Sequence, residues 1–121
     1  MTAEELQERT KQFALDAVRF VKGQPDMGPF GAVVRQLVRS ATSVAANYRA
    51  ACRARSRVEF AARLGVVSEE SDETVFWLEL MVRGRLVRGS AASLLEEARQ
   101  LRAIMAASAK TARKNLNAVK K

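Results

Sequence analysis

Apolar residues recur at alternating steps of three and four along Phe30, Val33, Leu37, Ala41, Val44, Tyr48 and Ala51, and this rhythm leaves few folds open. A helix turns about once per 3.6 residues, so such steps draw one narrow apolar seam that only neighbouring helices can cover. Similar stripes lie at Leu6, Phe13, Ala17, Phe20 and Val21, at Leu64, Val67, Ser71, Val75, Leu78 and Met81, and at Leu94, Ala98, Leu101, Met105, Ser108 and Ala112. They predict helices over about 4–22, 30–53, 57–82 and 91–115. The stretch "GQPDMGP" breaks the chain at 23–29, and further breaks fall at 53–56 and 84–90. Thr2 with Glu5 and Ser56 with Glu59 have the S/T-x-x-E spacing that satisfies orphaned amides at a helix start. Connections this short force neighbouring helices antiparallel. The expectation is an all-α antiparallel four-helix bundle, one domain spanning residues 1–121.

The chemistry that such a scaffold could carry is narrow. The chain has no histidine, which removes the commonest general base and metal ligand together. Cys52 is the single cysteine, so no internal disulfide can form, and the residue is expected to pack as a small apolar group. No nucleophile with a base, no phosphate-cradling glycine loop and no zinc ligand set is present. The expectation is no enzyme, no catalytic residue, no metal and no cofactor. The carboxylates of "SEESDE" (68–73) could in principle hold a divalent ion, but helical spacing spreads them around the axis. Counting back from the 53–56 turn places Glu70 opposite Arg39 and Glu73 opposite Arg35, as structural ion pairs. No apolar run approaches the ~20 residues of a membrane span. The acidic start "MTAEELQERT" is neither a secretory signal nor a transit peptide, so the expected location is the cytoplasm, with no membrane partner.

Net charge is +8, with basic residues crowded over 35–63 and 83–121 around an acidic block at 69–79. Such a balance suits a polyanionic partner, nucleic acid before membrane, although charge can also serve only to keep a surface solvated. The stretch "NYRAACRARSRVEF" (47–60) concentrates it. Tyr48 falls on the apolar stripe and is expected in the core. Asn47, one position off the seam, is placed to hydrogen-bond to a neighbouring helix. Arg49 is expected across the turn from Glu59 or Phe60, as an ion-pair partner. Arg53, Arg55 and Arg57 are too many for the one nearby carboxylate, Glu59, and are the expected nucleic-acid contacts, touching phosphates rather than reading bases. No helix-turn-helix signature and no exposed aromatic ladder points to sequence readout. The third helix carries Val66, Phe76, Trp77 and Leu80 beside its stripe, an apolar face too wide for one bundle core. Phe76, Trp77 and Leu80 are therefore expected at an oligomer interface. The end "KTARKNLNAVKK" is basic, which suits a helix C-terminus, and is expected to fray.

The segments "SVAANYRAACRARSRVEFAARLGVVSEESDETVFWLELM", "LEEARQL" and "KTARKN" resemble the four helix bundle proteins, also called 23S rRNA intervening sequence proteins. The resemblance spans about residues 10–115, and "NYRAACRARS" and "SDETVFWLEL" are its most specific parts. Members with a "SVGAN" segment have glycine where this chain has Ala45, and those with "SIPxN" have proline there, ahead of Ala46. Both departures make the second helix more regular. The resemblance implies an up-down-up-down bundle assembled into a ring-like homopentamer, with no established enzymatic activity. Genes of the family often lie inside insertions in ribosomal RNA genes, which implies RNA as a partner. A related branch, the accessory variability determinants of diversity-generating retroelements, uses the same basic pentamer to bind RNA and a reverse transcriptase, so a protein partner is the alternative expectation. In a closed ring, the turn carrying Arg53, Arg55 and Arg57 would repeat as a basic band.

Overall fold

The computed structural model describes residues 1–119 and contains four helices, α1 (Ala3–Lys22), α2 (Gly28–Cys52), α3 (Arg57–Arg83) and α4 (Ala92–Val119), with no strand among the described residues. The starts follow the local chemistry. Thr2 accepts the Glu5 amide at 3.1 Å and Ser56 the Glu59 amide at 3.0 Å, each satisfying a donor that the first turn leaves open. α2 begins two residues before the expected Phe30, with Pro29 in its first turn, where a missing amide costs nothing. α4 runs past the expected 115 because no glycine or proline follows Gly89 to stop it. Lys120 and Lys121, the tip of the segment expected to fray, lie outside the described residues.

The helices form a square: α1 packs on α2, α2 on α3, α3 on α4, and α4 returns more lightly to α1. Cross-seam pairs fix the antiparallel sense, since Arg99 meets Glu79 whereas Arg102, further along α4, meets Asp72, further back on α3. The expected stripe of α3, Leu64 to Met81, is buried throughout, and it closes against Leu37, Ala41 and Val44 of α2 and Leu101 and Met105 of α4. Elsewhere the buried set shifts by one residue. Val34 replaces Val33, Leu95 replaces Leu94 and Ala109 replaces Ser108, while Phe30, Val33 and Leu94 stay half-buried at the core's edge. A straight helix drifts by about 20° per heptad against a 3.5-residue repeat, enough to exchange neighbours at a stripe's ends. Four buried hydroxyls, Thr10, Ser40, Ser71 and Thr74, donate to carbonyls of their own helices. No buried polar side-chain atom among the described residues lacks a partner.

The end of α3 is less relaxed. The Arg85 amide bonds the Val82 carbonyl at 3.1 Å and the Leu86 amide bonds that of Met81 at 2.9 Å, the paired pattern that closes a helix through one left-handed residue. That residue is Arg85, at φ 55°, while Gly84 sits one position early in right-handed conformation. A left-handed residue with a Cβ costs about 1–2 kcal/mol, against about 0.5–1 kcal/mol for the extra chain freedom of glycine. Arg85→Gly is therefore expected to stabilise the fold by about 0.5–1 kcal/mol, read as a rise of a few degrees in melting temperature. By contrast, Leu78→Ala, which empties a fully buried site, should cost about 2–5 kcal/mol, measured by denaturant unfolding.

Candidate functional site

The α2–α3 turn is built around Glu59. The amides of Arg53 and Ala54 turn back onto the carbonyls of Ala50 and Ala51 at 3.1 and 3.0 Å, ending α2. Glu59 Oε2 then accepts the Arg55 amide at 3.1 Å, and Oε1 accepts Arg63 Nε at 3.1 Å. Both oxygens are thus engaged. The Arg55 amide first, then the Arg63 side chain, hold the Glu59 carboxyl below the ordinary value of 4.5.

Beside this frame lies a hollow of about 680 Å³ lined by Arg49, Arg53, Arg55, Glu59 and Arg63, together with Ala46 and Ala50. Arg49 and Arg53 stand four residues apart and so share a face of α2. Arg63 is neutralised by Glu59, but Arg49, Arg53 and Arg55 make no ion pair among the described residues. Clustered guanidinium groups of one sign, with Glu59 already committed, can receive a phosphate or another oxyanion bidentately.

This arrangement corrects several expectations. Arg49 is not paired across the turn; Glu59 takes Arg63 on its own helix instead, one turn away and already oriented. Arg57 does not join Arg53 and Arg55 but lies on the other side, with Phe60, against Ala112 and Asn115 of α4. Arg39 bonds Glu70 at 3.1 Å, and it also takes Glu73. Arg35 therefore does not face Glu73; it reaches Asp26 in the α1–α2 loop at 3.1 Å. Asn47 bonds Ser43 of its own helix, at 3.0 Å to the carbonyl and 2.8 Å to the hydroxyl. Tyr48 is buried as expected; burial first, then the Cys52 thiol beside it, push its hydroxyl up to about 12, so it stays protonated. Cys52 is half-buried against the core. Arg49 and Arg63 are the hollow's unforeseen members. Their spacing, four before Arg53 and four after Glu59, carried the signal.

The apolar excess of α3 divides. Trp77 is half-buried, packs on the core, and donates Nε1 to Glu73 at 3.3 Å. Phe76 meets its ring edge-on at 4.9 Å and is 52% exposed. Phe76, Leu80 and Val82 border a groove of about 390 Å³ that reaches Leu95 of α4. Val82 and Leu95 join the patch from outside the expected set. No helix among the described residues is long and apolar enough to cross a membrane, and no group of side chains among them could hold a metal ion.

The model of a family described as 23S rRNA-intervening sequence protein matches residues 4–107. A crystal structure of a protein of unknown function from the S23 ribosomal protein family of Bacteroides thetaiotaomicron VPI-5482 is similar, with a TM-score of 0.78 and 26% identity, covering 91% of this chain and 99% of that one. No curated protein matches the chain.

Because the folded Glu59 carboxyl titrates below its unfolded value, its contribution is present above the ordinary carboxylate range and is lost as pH falls through the folded value. Glu59→Gln should therefore lose less stability than wild type between about pH 6 and about pH 3. Urea unfolding across that range checks this, and parallel curves for the two proteins would refute it.

Proposed function

The chain belongs to the 23S rRNA-intervening sequence protein family, and from that premise we propose that it is a non-catalytic, homo-oligomeric protein that binds structured RNA through arginines at the α2–α3 turn. The observation that carries this reading is the hollow of Arg49, Arg53 and Arg55, three exposed cations that form no ion pair among the described residues, beside a Glu59 already bonded to the Arg55 amide and Arg63. The family's description adds ribosomal RNA as context, and the net charge of +8 adds long-range attraction to any polyanion. Guanidinium forks on phosphate oxygens position a nucleic acid without reading its bases. The absence of histidine and the lone cysteine in the sequence support a binding rather than a catalytic role.

Assembly is the second half of the proposal. Phe76, Leu80 and Val82 leave an apolar groove open on α3, and a second copy of the chain is its proposed occupant, with Trp77 supporting Phe76 from behind. Five copies in a ring follow from the resemblance set out above. Such a ring would repeat the arginine hollow around its axis and gather the weak contacts of single subunits. An accessory role beside a polypeptide such as a reverse transcriptase would use the same apolar groove.

Replacing Arg53, Arg55 and Arg57 together with Gln should leave folding and mass unchanged while lowering the slope of log affinity against log salt, by about one for each lost phosphate contact. Since Arg57 stands apart from the hollow, adding Arg49→Gln should weaken RNA binding more than Arg57→Gln does. Fluorescence anisotropy with a labelled hairpin over a salt series measures both effects, and an unchanged slope would end the RNA reading. For the assembly, Leu80→Glu should reduce the oligomer to monomers by light scattering at micromolar concentration. A monomeric wild-type protein would refute it outright.

A further inference from the structure

Among the described residues, five of the seven ion pairs bridge helices along the flanks of the bundle, and the other two involve Asp26 and Glu59 near the connections. The arginine excess is therefore left at the ends. One end is the α2–α3 turn. The other, about 40 Å away along a 27-residue helix rising ~1.5 Å per residue, is made by the α1–α2 and α3–α4 connections. Segments 19–27 and 83–91 present Arg19, Lys22, Arg83, Arg85 and Arg88, all exposed, and one carboxylate, Asp26, which Arg35 takes. The two connections are pinned to each other by Gln24. Its Nε2 donates to the Arg88 carbonyl at 2.9 Å, and its Oε1 accepts the Arg88 amide at 2.8 Å. That two-point bond sets Arg88 beside the end of α1, so the cations of both connections share one platform.

Helix electrostatics explain part of this charge. Arg19, Lys22 and Arg83 lie in last turns, where a cation complements the free carbonyls. Arg85 and Arg88 lie beyond α3 and gain nothing comparable. Arg85 moreover holds the left-handed position where glycine would cost less, and backbone strain of this kind recurs at functional sites.

We propose that this end is a second phosphate-binding surface, so that one protein grips two RNA segments, one at each end, and holds them together. The inference rests on the RNA-binding reading above and deepens it from binding to bridging. The ends lie about 40 Å apart along α3, far enough for two separate short segments, or two arms of one folded RNA, to occupy them at once. Arg85 and Arg88 supply guanidinium forks for phosphate oxygens, with Arg19 and Lys22 adding attraction beside them, while Arg83 stands between this platform and the groove of Phe76 and Leu80, which it also borders.

The experiment uses the full-length protein with two short RNA duplexes, one carrying a donor and one an acceptor fluorophore. Three proteins are compared: wild type, Arg53→Gln/Arg55→Gln/Arg57→Gln, and Arg83→Gln/Arg85→Gln/Arg88→Gln. Wild type should bring the duplexes into energy transfer. Each triple variant should keep the wild-type mass by light scattering but bind about half as many duplexes per subunit, so that the salt dependence of the whole complex and the transfer both fall. Arg85→Gly alone should weaken binding several-fold while raising the melting temperature, a pairing that a purely structural role would not produce. If the second triple variant keeps both the wild-type slope and the transfer, bridging is overturned while the first variant's lowered slope still supports RNA binding. If neither variant nor wild type shows a salt-dependent complex, the RNA reading itself falls. Competition by polyglutamate as strong as by RNA of equal charge would assign the second end to an acidic protein and also overturn the proposal.

Discussion

Burial of the Leu64–Met81 stripe of α3 between α2 and α4 is the contact on which the rest of the bundle depends. It fills the two most extensive seams and holds the largest fully buried side chains, Leu64, Leu78 and Met81, against Leu37 and Leu101. At about 25 cal/mol per Å² of apolar surface removed from water, this seam outweighs any exposed ion pair, each worth about 0.2–1 kcal/mol. α1 closes the square with a lighter contact to α4, where Arg9 compensates with a two-point bond to Glu97 at 2.8 and 2.6 Å and a third bond to Gln100 at 2.8 Å.

That packing also sorts the charges. Helices laid side by side bring carboxylates of α3 within reach of arginines on both neighbours, so Arg39, Arg99 and Arg102 are neutralised along the flanks. The connections at the ends have no neighbouring helix face to supply carboxylates, and the cations there stay free. A net charge spread through the sequence thus becomes two separate basic ends on one rod. The open apolar groove of α3 lies nearer the end formed by Arg83, Arg85 and Arg88, so assembly through it would draw those arginines of several subunits towards a common rim.

The two ends differ in how they are held. At the α2–α3 turn, Ser56 and Glu59 satisfy the backbone with side chains already needed to start α3, and the arginines are carried without strain. At the opposite end, a left-handed arginine and a glutamine clamp between connections do the same work less economically. Local sequence rules favour glycine at the first of these positions. The departure from them is what sets this end apart from an ordinary helix stop.

Helix number, the limits of α1 and α3, most of the core and the two capping residues were legible in the sequence, because each is set by forces acting within one turn of the chain: stripe periodicity, a hydroxyl facing an amide three residues on, a proline or glycine that cannot continue a helix. The surplus of cations at 53–57 was legible for the same reason, as a local count against one carboxylate. Which arginine meets which carboxylate was decided only by the tertiary structure. An arginine side chain spans more than a helical turn, so Arg39 could take Glu73 as well as Glu70 and leave Arg35 to Asp26, a choice set by seam register rather than by spacing. The meeting of residues 24 and 88 and the placing of Arg57 near Ala112 and Asn115 of α4 likewise came from the packing of segments distant in the chain, which no local preference encodes, whereas Arg49 and Arg63 join the turn through helical spacing that the sequence already held.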